Sequence, residues 1–238
     1  LHRRFDRTGR LVGDSGMHAL FDAHVMVIGI GGVGSFAAEA LLRTGIGRLS
    51  LVDFDLICIT NTNRQIHTQR GTIGKAKVGV MDGRLRLIKP QAEVHAHRTF
   101  YNRESSAELL ADRPTWIVDA IDNITAKCHL LATCVKKEIP VISSTGAGAR
   151  LDSTQVRIAD LAFTKVDPLA KAIRKILRDK YNFTSRKGEP FAIPAVYSAE
   201  EPMAPQPLNY DNGKGFRCVC PQGSNDLHGC DQRNRIDG

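Results

Sequence analysis

Apolar and polar positions follow two periods along most of the chain, and the alternation between them predicts the elements. Val25 to Ile30 is a β-branched apolar run that passes directly into Gly29, Gly31, Gly32 and Gly34, after which Phe36, Ala37, Ala40 and Leu41 recur at helical spacing. Arg48 to Val52 reads as a second strand, Gly74 to Ile88 as a helix closed by Pro90, and Glu93 to Thr99 as an alternating strand. Trp116 to Ala120, Pro140 to Ser143 and Val156 to Ala159 are further strands, with a helix running from Asp122-Asn123 to Lys137. Asp167-Pro168 opens a helix whose Ala172, Ile173, Ile176 and Leu177 form a buried stripe. Lys171, Arg174, Lys175, Arg178 and Lys180 make its exposed face. Ahead of all this, Ser15 to Asp22 reads as a helix preceded by a solvated basic arm of Arg3, Arg4, Arg7 and Arg10.

Strands alternating with helices predict an α/β fold, a Rossmann-like sheet with helices on both faces. The pattern places one domain over 1–180, including the basic arm, and a loop-rich C-terminal extension over 181–238. That extension is rich in Pro, Gly and Asn, with one short strand near Phe191 to Tyr197. The chain starts at Leu1 and stops after a polar run, so truncation is expected at both ends.

Composition narrows this only a little. A chain of 238 residues that is 42% hydrophobic can bury a sizeable core without staples. No apolar run approaches the roughly 20 residues of a membrane span, and the N-terminus lacks the apolar core of a signal peptide, so a cytoplasmic protein without a transmembrane segment is expected. The net charge of +8 is compatible with a polyanionic partner but does not establish one. Of six cysteines, Cys58, Cys128 and Cys134 sit in apolar or helical patterns, as small core residues do.

The candidate chemistry gathers around the glycine turn. Glycines are needed there because the turn is tight and because the backbone must approach a phosphate bound at the helix N-terminus. Asp53 ends the second strand nineteen positions after Gly34, the spacing at which a carboxylate reaches ribose hydroxyls, so a nucleotide is expected. The polar run that follows, Asp53-Phe-Asp55 and then Thr60-Asn-Thr-Asn-Arg64-Gln65, has hydrogen-bonding capacity that implies a ligand. Lys75 and Lys77 in a helix's first turn oppose the helix dipole, which hints at an anion, the ordinary alternative being surface charge. Asp122 follows the end of a parallel strand, where ligands bind in open sheets, and is a candidate metal ligand or a simple helix cap.

Together, the glycine turn, Asp53-Phe-Asp55, Asn61 with Asn63-Arg64-Gln65, Lys77 and Asp122-Asn123 resemble the adenylating (HesA/MoeB/ThiF) superfamily. That superfamily includes ubiquitin-activating enzymes and the activators of sulfur-carrier proteins. GGVGSFAAEALLRTGIG, TNTNRQIH and the DPLA segment at 167–170 are most similar to its tRNA threonylcarbamoyladenosine dehydratase branch. The resemblance implies ATP-dependent adenylation of the threonyl carboxylate of a modified adenosine in tRNA, followed by cyclisation.

By the same resemblance Arg64 and Lys77 stabilise phosphate charge and Asp122 holds magnesium. Gly29, Gly31, Gly32, Gly34, Asp53, Asp55, Asn61, Asn63, Gln65 and Asn123 line the nucleotide site. Arg7 or Arg10 reaches the ATP of a partner protomer, which implies a homodimer. The alternative is an activator of a ubiquitin-like sulfur-carrier protein, with a carrier or sulfur-transfer partner. A nicotinamide-dependent oxidoreductase would share the glycine turn but would have no use for Asn63-Arg64-Gln65 and Lys77.

Sulfur-carrier activators typically hold zinc with two CxxC pairs, and this chain contains no CxxC. Cys218, Cys220, His228 and Cys230 instead offer a zinc site of unusual spacing, a reactive thiol, or plain reduced cysteines.

Overall fold

A computed structural model of the chain describes residues 3–186, 188–204 and 206. In chain order, α1 (Asp6–Asp22) leads into β1 (His24–Ile28), α2 (Gly34–Thr44), β2 (Arg48–Val52), α3 (Lys77–Ile88) and β3 (Glu93–His97). Then come α4 (Arg103–Leu109), β4 (Trp116–Asp119), α5 (Ile124–Lys137), β5 (Val141–Ser144), β6 (Val156–Asp160), α6 (Pro168–Tyr181) and β7 (Pro194–Ser198). The strands form one seven-stranded sheet in the order β3-β2-β1-β4-β5-β7-β6, parallel except for β6 against β7. This is the expected α/β fold.

Alternation along β1 divides the core. Val25 and Val27 point to one face and pack with Ala38 and Leu42 of α2 and Met81 and Leu85 of α3. Met26 and Ile28 point to the other and pack with Leu130 and Leu131 of α5 and Ile173 and Leu177 of α6. Cys128 and Cys134 belong to this second layer, where burial pushes their thiols up to about 12, so both stay protonated and inert.

Three expectations need correction. The N-terminal arm is folded: α1 begins at Asp6 rather than Ser15, Gly13 leaves helical geometry at φ 70°, and the chain comes back on itself. Phe5 is buried with its ring 6.0 Å from that of Phe21, and the Lys89 ammonium lies 5.4 and 5.1 Å from the two rings. A single aromatic among arginines anchors the segment. α3 starts at Lys77, so Lys75 lies in the preceding loop and not in the helix's first turn. Third, β7 hydrogen-bonds between β5 and β6, so the sheet runs past position 180, where the extension was expected to begin.

α4 was not anticipated. Its signal was the Asn102-x-x-Ser105 capping box, in which Asn102 Oδ1 accepts from the Ser105 N–H at 2.8 Å and Ser105 Oγ accepts from the Asn102 N–H at 3.0 Å. Among the described residues no helix is long and apolar enough to cross a membrane. Cys218, Cys220, His228 and Cys230 lie outside the described residues.

Candidate nucleotide site

The strand order reverses between β1 and β4, and the loops leaving their C-terminal ends therefore diverge and open a crevice. The glycine turn lines one side of it. Gly29 has φ +90°, donates its N–H to the Val52 carbonyl at 2.8 Å, and a Cβ there would lie 2.5 Å from the Ala120 carbonyl oxygen. At Gly34 a Cβ would meet the Gly29 carbonyl oxygen at 1.8 Å. These two glycines pack backbone on backbone.

Gly31 and Gly32 differ, because a Cβ would reach nothing nearer than Gln65 Nε2 at 3.8 Å and Arg64 Cγ at 3.3 Å respectively. α2 starts beside them without a side-chain cap. The Ser35 N–H donates to the Gly31 carbonyl at 3.2 Å, which closes the turn onto the helix, and the positive end of the helix dipole lies behind Gly31 and Gly32, which suits a phosphate.

The far wall is built by β2 and the loop after it. Asp53 Oδ2 accepts from the Ile30 N–H at 2.7 Å and Oδ1 from the Asp55 N–H at 2.8 Å, so the expected ribose carboxylate also ties the glycine turn to the loop. Each oxygen retains a lone pair for a hydroxyl. Lys77 is buried, its Nζ 2.6 Å from Asp55 Oδ2 and 4.0 Å from Asp53 Oδ2. Burial pushes the Asp55 carboxyl up from the usual range; Lys77 pulls against the rise, and Asp53 and Asp122 add to it. Asp122 is therefore close enough for its charge to be felt at Asp55.

Its own position is exposed, and the cap of α5 is Asn123, whose Oδ1 accepts from the Ala126 N–H at 3.0 Å. Asp122 is not the cap, and Asn123 has a structural role. Among the described residues no group of three or more His, Cys, Asp or Glu side chains could hold a metal. What the structure offers is the single exposed carboxylate of Asp122, with Asp55 near enough to feel its charge, and one carboxylate is compatible with magnesium, which commonly takes one or two together with substrate phosphates and water.

The polar loop divides by function. Asn61 is buried and shapes the loop, its Oδ1 accepting from the Cys58 N–H at 2.9 Å. Asn63 is exposed and accepts from Arg64 Nη1 at 3.1 Å. Arg64 is exposed beside Gly32, also donating to the Thr60 carbonyl at 3.1 Å. Gln65 is buried with its Oε1 unpartnered among the described residues.

His67, which sequence reasoning missed, is 1% exposed with both ring nitrogens unpartnered. Burial, helped by the Lys77 charge, lowers it to about 4, so it is neutral at physiological pH. Also missed was Lys127, a lysine among the apolar positions of α5 and wholly buried, whose signal was that location.

Two groups of basic residues lie elsewhere. Arg7 and Arg10 are exposed on α1, which packs where β1 and β2 begin, the opposite end of the sheet from the crevice; Arg10 pairs with Asp6 at 2.9 Å. On α6 the expected exposed face is partly turned inward. Arg174 donates to Thr164 Oγ1, and Arg178 donates to the Thr184 carbonyl at 3.3 Å while stacking 5.2 Å from the Phe191 ring centroid. Lys171, Lys175 and Lys180 remain exposed.

Residues 5–180 match the model of the ThiF family. The tRNA threonylcarbamoyladenosine dehydratase of Haemophilus influenzae is 44% identical over 204 residues, covering 86% of this chain and 78% of that protein. The Bacillus subtilis protein of the same name is 41% identical, covering 85% and 77%. Among solved structures, the E. coli tRNA N6-threonylcarbamoyladenosine dehydratase in complex with ATP superposes with a TM-score of 0.83 at 40% identity, covering 85% of this chain and 84% of that one.

Proposed function

The chain belongs to the ThiF family, and from that premise we propose that it consumes ATP to adenylate the threonyl carboxylate of threonylcarbamoyladenosine in tRNA and then closes the product into a ring. The observation that carries this reading is the open glycine cradle at the uncapped start of α2, flanked by Arg64 and by Lys77 with its two carboxylates.

A carboxylate does not expel oxide at neutral pH. Its oxygen attacks the α-phosphorus of ATP, pyrophosphate leaves, and an amide nitrogen of the same substituent then attacks the acyl carbon and expels AMP. The sum is loss of one water from the nucleoside. No protein nucleophile is needed. Negative charge grows on the phosphate oxygens in the first step, where the fixed cations Arg64 and Lys77 and the N–H groups of α2 act most strongly. Asp53 positions the ribose, and Gln65 offers its unpartnered carbonyl to the ligand. Asp122 would hold magnesium, which supplies screening of phosphate charge. Arg7 or Arg10 serves the crevice of a second copy, because α1 sits at the wrong end of its own sheet to serve its own.

Nucleosides from tRNA incubated with the protein and ATP, analysed by mass spectrometry, should show threonylcarbamoyladenosine converted to a species lighter by one water. Unchanged tRNA, together with pyrophosphate exchange stimulated by a carrier ending in Gly-Gly, would move the assignment to the carrier-protein alternative. Asp122→Asn should raise the magnesium concentration needed for half-maximal exchange by roughly tenfold or more. Wild-type metal dependence in that variant would remove Asp122 from the site.

tRNA binding is expected along α6, now through Lys171 and Lys175, since Arg174 and Arg178 are committed to the protein itself. Reversing both lysines to Glu should weaken tRNA binding and reduce the slope of log affinity against log salt by up to about 2, with ATP affinity unchanged. Equal tRNA affinity at every salt concentration would place the docking surface elsewhere.

A further inference from the structure

We propose that Lys127 is a positioning residue for the adenylation step, holding from below the turn that presents Asp122. The proposal rests on the reading of Asp122 as a working residue of the crevice.

Lys127 and Asp119 are both 0% exposed, and Lys127 Nζ lies 2.8 Å from Asp119 Oδ2. The same ammonium donates to the Ile121 carbonyl at 3.0 Å. Asp119 accepts in addition from Ser143 Oγ at 2.7 Å and from the Ile121 N–H at 3.2 Å. The turn from β4 to α5 is thus grasped at Ile121 from both sides of its peptide chain, while the Ala120 N–H donates to the Ile28 carbonyl at 2.9 Å and Asn123 caps the helix behind it. Asp122 lies between these anchors and is the residue of the turn left exposed.

A buried ion pair is a poor way to stabilise a core. Desolvating both ions costs about what their attraction returns, and apolar residues of the same volume commonly do as well or better. The core around Lys127 is apolar, with Cys128, Leu130 and Leu131 as its neighbours on α5. What an apolar pair could not do there is bond the Ile121 carbonyl and orient Asp119. The ammonium is thus placed to fix the height and direction of the turn, one residue away from the carboxylate that must face phosphate and metal. A misplacement of about 1 Å at such a residue is enough to cost roughly 10²-fold in rate.

The test compares wild type, Asp122→Asn and the double variant Asp119→Leu/Lys127→Met, which removes the pair without stranding either charge. We expect the double variant to fold cooperatively but to melt several degrees below wild type, since the buried Ser143 hydroxyl loses its acceptor, and to bind ATP without magnesium within twofold of wild type. Amide hydrogen exchange should be at least tenfold faster at Ile121, Asp122 and Asn123 only, and pyrophosphate exchange should need at least tenfold more magnesium. If the folded double variant keeps wild-type exchange protection and magnesium dependence while Asp122→Asn is shifted, the positioning role is overturned and the Asp122 reading stands. A wild-type response of Asp122→Asn overturns both. Failure of the double variant to fold also overturns the proposal, by showing that the pair is needed for the core itself.

Discussion

Replacing Lys77 by alanine is expected to lower ATP–pyrophosphate exchange by about 10²- to 10³-fold, the usual loss when one fixed donor to developing negative charge is removed. Its burial means that stability will change as well. Lys77 is the cation between Asp53 and Asp55, and deleting it leaves two carboxylates in a poorly solvated wall. A fully buried pair broken in this way costs about 3–5 kcal/mol; the cost here is smaller, because the Asp55 side chain is 32% exposed and partly solvated. The two effects separate in Lys77→Met/Asp55→Asn, where a neutral pair replaces the ionic one. That variant should recover most of the thermal stability and little of the exchange activity. Recovery of both would show that Lys77 serves the fold and does not meet the phosphates.

The second large effect distinguishes glycines that sit three positions apart. Gly34→Ala places a methyl 1.8 Å from the Gly29 carbonyl oxygen, a backbone atom that can move only if α2 lifts from β1. We expect a loss of roughly 4 kcal/mol or more, beyond the ordinary range for a single substitution, and little folded protein on a circular dichroism melt. Gly31→Ala meets only Gln65 Nε2 at 3.8 Å, an ordinary contact, and Gly31 does not have a positive φ. It should melt like wild type yet bind ATP at least about tenfold more weakly, a difference of ~1.4 kcal/mol, because in the proposed site the methyl would occupy phosphate space. Calorimetric titration with ATP decides the point: wild-type affinity in a well-folded Gly31→Ala protein would mean that the phosphates lie elsewhere.

The contrast between these glycines bears on how much could be read beforehand. Four glycines in a strand-to-helix turn announce tight backbone approach, and Asp53 at the end of the next strand announces a nucleotide. That Gly29 packs against protein depends on the path of Ala120, a residue 91 positions further on and without any local signature there. Asp122 shows the same limit. Sequence left it open between a metal ligand and a helix cap, and the single bond from the Ala126 N–H to Asn123 resolves the cap.

By itself, the sequence determined the alternation of strands and helices, the apolar run of β1 into the glycine turn, the expectation of a nucleotide there, and the family resemblance carried by the loop from Asp53 to Gln65. These are legible because periods of 2 and 3.6 residues and the demands of a tight turn act between near neighbours in the chain. Only the tertiary structure decided the insertion of β7 between β5 and β6, the return of Phe5 onto Phe21, the pairing of Lys77 with Asp55, the inward turn of Arg174 and Arg178, and the burial of Lys127 against Asp119. In each, the outcome depends on desolvation and hydrogen bonding between groups that chain folding brings together. A charged side chain looks the same in sequence whether water or a buried partner will satisfy it.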